Sequence, residues 1–288
     1  MKRLHWIIQA GTWILIAAWF SVTMGFVSDQ SDKVLCRNID VVFSDTAGNH
    51  FVTREEVREM LEASSEELQG YPLREINTRF LEEMLEENPY VRNAEVSKDI
   101  SGTLKVFIEQ RDPLIRIMPG GREGFYLDRE GTIMPLSERF TPLILLATGN
   151  IPSPEGNIFS SEGNLPSSEG NLSSSEGNLS SSEGNLSSSE GNRNTEGRLE
   201  EIYRFARYID SHPFWKDQIV QIYVNSEGEY ELIPRVGAHH ILLGEMEQWQ
   251  KKLRNLELLY RQGFARYGWN TYEQINLKYS NQVICTKR

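Results

Sequence analysis

A chain of 288 residues has room for about two compact domains, and an apolar share of 39% with 25% charged residues describes globular material carrying an extra polar segment. Its net charge of −11 argues against nucleic acid as partner, because phosphate binding needs clustered Lys and Arg. Residues 151–197 alone hold seven Glu against one Arg, so what remains is an ordinary solvated surface.

From Leu4 to Ser28 there is no Asp, Glu, Lys or Arg. At 1.5 Å per residue, a helix over residues 6–27 covers a hydrocarbon core of about 30 Å. Trp6, Trp13 and Trp19 are spread along it, and Trp6 suits a headgroup boundary. Lys2 and Arg3 before the span and Asp29 and Asp32 after it place residues 1–5 in the cytoplasm and the remainder outside. A cleaved signal peptide fits less well, since the apolar run exceeds the usual h-region and Ser21-Val22-Thr23 is a poor cleavage site.

Residues Ile39 to Phe43 read as a short strand. Thr53, with Glu56 three residues on, forms a capping box that opens a helix; Val52 and Val57 occupy the staple positions, and Val57, Met60 and Leu61 form its apolar stripe. A second helix begins near Asn77, carries Phe80, Leu81, Met84 and Leu85 on one face, and stops at Asn88-Pro89. Strands follow over Val91 to Lys98 and Thr103 to Gln110, the latter alternating Leu104, Val106 and Ile108 with Lys105, Phe107 and Glu109. Gly102 lies in the turn between them.

Beyond Pro113 the chain becomes strand-rich, with a hairpin turn at Asp128 to Gly131. Residues 155–192 repeat Glu-Gly-Asn every seven residues, mostly as Glu-Gly-Asn-Leu-Ser-Ser-Ser. One Leu per heptad makes no coiled-coil seam, and Gly, Asn and Ser are weak helix formers. The segment 151–197 is therefore expected to be a disordered, dispensable acidic insertion. After it come a helix through Leu199, Ile202, Tyr203, Ala206 and Ile209, then antiparallel strands over Ile219 to Asn225, Glu229 to Ile233 and His239 to Leu242. A helix with Trp249, Leu253, Leu256 and Tyr260 on one face is expected to stop near Gly263. Two closing strands, Gln274 to Tyr279 and Gln282 to Thr286, join across Ser280-Asn281. Segments 113–150 and 198–288 are expected to share one core around the insertion.

No catalytic or nucleotide-binding motif is present, and neither a metal nor another cofactor is expected. Of the five His, only His239 and His240 adjoin; on a strand they point to opposite faces and are read as surface imidazoles. Cys36 and Cys285 lie far apart in sequence and are read as separate thiols.

Six stretches in order resemble the FtsQ/DivIB cell-division family. The most specific are Phe80 to Val96, containing Asn88-Pro89-Tyr90-Val91-Arg92-Asn93-Ala94-Glu95-Val96, and Thr103 to Pro113, ending Glu109-Gln110-Arg111-Asp112-Pro113. These are similar to the family's POTRA domain. Tyr126 to Gly131, Thr141 to Ile144, Gly237 to Gly244 and Ile275 to Tyr279 are similar to its β domain. The resemblance implies an α+β protein: one N-terminal transmembrane helix, a β-α-α-β-β POTRA domain over residues 36–112, and a mostly antiparallel β domain with flanking helices over 113–150 and 198–288.

It further implies a non-catalytic scaffold of the inner membrane at the division septum, the POTRA part recruiting other divisome components and the β domain binding FtsB and FtsL. The physical mode is strand addition to an unpaired sheet edge, and the last strand is the natural edge. Carried over by position, the partner contact is Lys278, Tyr279, Ser280, Asn281, Gln282, Val283, Ile284 and Cys285. Lys278 is expected to meet an acidic partner and Tyr279 to act as aromatic anchor, against the alternative that Tyr279 is core. The family's pattern departs at Ser101-Gly102, at the short N-terminal tail and at the repeat. Other readings are a POTRA-bearing export adaptor or chaperone, and an anchored wall enzyme.

Overall fold

The structure is a computed structural model that describes residues 11–21, 34–44, 48–64, 68–152, 187–279 and 281–288. Residues 11–21 form helix α1. Trp13, Ile14, Leu15, Trp19 and Phe20 on it are all more than half exposed. Eleven residues span only about 16 Å of helix, and no helix among the described residues is long and apolar enough to cross a membrane. Trp6, residues 7–10 and residues 22–27 of the expected span lie outside the described residues. The chain divides into two compact units, Met1–Arg111 and Asp112–Arg288.

The first unit runs β1 (Asn38–Phe43), α2 (Arg54–Ser64), α3 (Thr78–Glu86), β2 (Val91–Lys98), β3 (Thr103–Gln110). Its sheet has the order β1-β3-β2, with β1 parallel and β2 antiparallel to β3. The capping box forms: Thr53 N–H donates to Glu56 Oε2 at 2.9 Å and Glu56 N–H to Thr53 Oγ1 at 3.3 Å. Val52 and Val57, the staple pair, are buried. Asn77 Oδ1 caps α3 by accepting from Phe80 N–H. Period-2 alternation then puts Leu104, Val106 and Ile108 of β3 at 0% exposure beneath Val57, Leu61, Leu81 and Leu85 in the buried interior. Gln110 is buried too, and its amide ties down the loop before α2 by accepting from Val52 N–H and donating to Asn49 O. Gly102 turns β2 into β3 at φ +90°, and a Cβ there would sit 2.8 Å from Leu35 O. One expectation fails in this unit: Phe80 is 50% exposed rather than on the apolar face, because Leu81 and Leu85 alone take α3's buried positions.

The second unit contains β4 (Pro113–Pro119), β5 (Phe125–Asp128), β6 (Ile133–Pro135), β7 (Leu145–Gly149), α4 (Ser187–Ser211), α5 (Pro213–Gln218), β8 (Ile219–Val224), β9 (Tyr230–Pro234), β10 (His240–Gly244), α6 (Trp249–Leu258), a π turn over Leu259–Gly263, α7 (Phe264–Tyr267), β11 (Tyr272–Asn276) and β12 (Ile284–Lys287). They build one nine-stranded sheet, ordered β12-β11-β10-β9-β8-β7-β4-β5-β6. It is mostly antiparallel, with parallel ladders at β4·β7, β7·β8 and β10·β11. Parallel neighbours need long crossovers, and α4 with α5, then α6 with α7, supply two of them. Residues from both sides of the insertion enter one core, among them Ile115, Ile117 and Ala147 before it and Ile202, Phe205, Ile222 and Leu253 after it.

Three expectations need correction here. Helix α4 begins at Ser187, inside the last complete repeat copy, so the disordered segment 151–197 is too long at its end; Ile151, at its start, is buried. Once residues 199–211 dock their apolar face, each further helical residue costs little even when its propensity is weak. Residues 153–186, the bulk of the repeat, lie outside the described residues. Gly263 does not stop the second helix: φ there is −77°, and the chain continues through the π turn to α7. The stop is Gly268, at φ +87° with its N–H on Phe264 O at 2.9 Å.

Candidate functional site: the β12 edge

Strand β12 ends the nine-stranded sheet and pairs with β11 alone among the described strands. The register sets Asn276 opposite Ile284, Ile275 opposite Cys285 and Gln274 opposite Thr286. Ile275 is fully buried, so Cys285, its neighbour on the same face, leans on the core, whereas Ile284 points away and is 43% exposed. Cys36 and Cys285 are both free, and burial pushes both thiols up, which keeps them protonated and poorly nucleophilic.

The ribbon's connection is longer than expected. Leu277, almost wholly buried, continues the pairing by donating its N–H to Leu242 O at 2.8 Å. Asn276 Oδ1 then accepts from Lys278 N–H at 2.9 Å and bends the chain out of the strand. Of the expected contact residues, only Ile284 and Cys285 fall on β12, while Lys278, Tyr279, Asn281, Gln282 and Val283 form the connection and Ser280 lies outside the described residues. Lys287, not expected, belongs to the strand. Tyr279 is 56% exposed and therefore not core. Lys278 is not waiting for a partner either: its ammonium holds both carboxylate oxygens of Glu229 at 2.7 Å. That pair raises Lys278 and lowers Glu229 from their ordinary pKa values. Lying at the surface, the pair adds little to stability.

Fixed points hold this edge at both ends. Lys251 Nζ donates to Asn281 Oδ1 at 2.7 Å, and Arg288 donates its N–H to Thr271 O at 3.2 Å and its guanidinium to Ala238 O at 2.7 Å. Nearby, Lys252 is buried, and its Nζ donates to Leu243 O and Glu245 O, stitching α6 to the end of β10; burial pushes its pKa down. A ribbon anchored this way has little ordering entropy left to lose on binding.

Behind the ribbon, the expectation of two surface imidazoles fails for His239. It is 2% exposed, between Tyr260 and Phe264, with Nε2 2.8 Å from Tyr260 Oη; Nδ1 has no hydrogen-bond partner among the described residues. Burial, then the neighbouring His240 and Arg288, push its pKa down. Such a group stays neutral when folded and takes up a proton more readily when unfolded. Its contribution is therefore complete above the unfolded value near 6.5 and is lost as pH falls below it. Urea unfolding at pH 7.5 and 5.5 should show wild type losing up to about 1.4 kcal/mol per pH unit more than His239→Gln; parallel losses in the two proteins would remove His239 from the account. Among the described residues, no three His, Cys, Asp or Glu side chains are grouped to hold a metal ion.

Two domain families match this chain. Residues 34–109 match the POTRA-like domain, and residues 175–286 match the FtsQ/DivIB, C-terminal related domain, which takes in β8 to β11 and most of β12. No curated protein matches the chain.

Proposed function

We propose, from the premise that this chain belongs to the FtsQ/DivIB family by its two domain matches, that it acts in cell division as a non-catalytic scaffold binding FtsB and FtsL by strand addition at β12. The POTRA-like match alone would suit an export adaptor equally; the C-terminal match favours division. The observation that carries the binding mode is the position of β12 at the sheet edge, with exposed Tyr279 and Ile284 beside its backbone. An edge strand lends N–H and C=O groups to an incoming extended chain, while pockets beside it select side chains. The exposed apolar residues of α1 support a membrane anchor over residues 6–27; residues 28–288 then lie outside the cytoplasm, and the POTRA part draws the protein to the septum.

Recovery of FtsB and FtsL on the full chain, compared with a chain ending at Tyr279, tests the reading. Loss of recovery with the truncated chain, while its circular dichroism stays native, is the expected result. Equal recovery would displace the contact from β12.

A further inference from the structure

Each sheet has two edges, and the first unit treats one of its own in an unusual way. At eight residues, β2 is the longest strand at a sheet edge, against six for β1, four for β12 and three for β6. A long edge with free donors pairs readily with another chain. Here two of the donors, in the middle of the strand, are taken. Ala94 N–H donates to Glu86 Oε1 at 3.1 Å, and Val96 N–H donates to Glu82 Oε1 at 2.8 Å. The side chains of Ala94 and Val96 remain in the core, at 5% and 6% exposure, so these bonds leave the packing of β2 undisturbed.

The spacing explains how a helix can do this. Residues four apart on a helix rise about 6 Å, and alternate residues on a strand, whose N–H groups point to the same edge, are about 6.6 Å apart. Glu82 and Glu86 are four apart on α3, and Ala94 and Val96 are two apart on β2. With α3 antiparallel to β2, as the pairs Glu86 to Ala94 and Glu82 to Val96 require, two carboxylates repeat the acceptor spacing of a neighbouring strand. Charged acceptors make the stronger version of such a bond.

We propose that α3 stands in for a strand: Glu82 and Glu86 hold shut the β2 edge, which without them pairs with the same edge of a second copy of this chain. A second copy is the natural occupant because antiparallel pairing of identical edges closes on itself with two-fold symmetry. It also requires no sequence match beyond the strand's own length. The consequence reaches the function above, since a protein that recruits partners through one sheet edge is kept from self-association through another.

The test uses the full chain and three variants: E82A/E86A, which removes the acceptors; E82Q/E86Q, which keeps an acceptor oxygen at the same reach; and E82D/E86D, which keeps the charge but is one methylene short. In dilute protein, the Ala94 and Val96 amides should exchange at least tenfold faster in the alanine and aspartate variants than in wild type. At high concentration, both variants should sediment as larger species than wild type. The glutamine variant should match wild type in both measurements. The proposal fails if the alanine and aspartate variants keep wild-type exchange, if they sediment as wild type at every concentration, or if the glutamine variant behaves as the alanine one does.

Discussion

Replacing Tyr279 with Ala and Ile284 with Asp together is expected to weaken binding of an FtsB/FtsL partner by 30-fold or more, while leaving the thermal midpoint of the protein within about 2 °C. The two halves of that expectation come from the same fact. Both side chains stand out from the sheet, at 56% and 43% exposure, so the folded chain loses little by their removal. A partner strand laid along β12 would cover them. An aromatic residue in the desolvated centre of an interface typically contributes 2 kcal/mol or more, about a 30-fold change in Kd, and an aspartate facing an incoming apolar side chain adds a desolvation cost. Calorimetric titration of the purified partner into each protein measures it. A Kd within threefold of wild type would mean that the strip from Lys278 to Cys285 is not where the partner lies.

Trp215→Ala is expected to cost the second unit about 3 to 5 kcal/mol in urea unfolding, the usual range for emptying an aromatic from a core. Trp215 is fully buried on α5, edge-on to Phe214 at 4.8 Å and to Tyr260 at 5.9 Å. From Tyr260 the ring contacts continue through Phe264 to Trp269 and to Tyr272 at the start of β11. The cavity is thus opened at one end of a chain of rings whose other end supports the ribbon, so partner affinity should fall together with stability. A loss under about 1 kcal/mol would mean that the site collapses around the void.

Local rules carried much of this fold. Thr53 with Glu56, Asn77, the alternation from Leu104 to Ile108 and the Asp128 to Gly131 turn each contain their own structural reason within a few residues, and each forms. What local rules could not contain is any relation settled by distant chain. His239 looked like half of an exposed pair because alternation along a strand cannot reveal that Tyr260 and Phe264 close over one side. Lys278 looked free because Glu229, its partner, lies 49 residues away. The bonds from Glu82 and Glu86 of α3 to β2 depend on the strand lying alongside the helix, which no local pattern shows. Parallel pairing of β7 with β8 and of β10 with β11 is likewise a property of the crossovers between them. The ribbon was legible as two closing strands, but its connection was drawn too short, since nothing in the local pattern shows Asn276 Oδ1 bending the chain out of the strand at Lys278.

Hydrogen exchange at residues 281–288, measured with and without the partner, tests the central claim most directly. Strand addition predicts that outward amides of β12, which exchange freely in the isolated protein, become protected by tenfold or more in the complex, with Ala94 and Val96 of β2 unchanged. Protection that appears on β2 or β6 while β12 amides keep their free rate would contradict it.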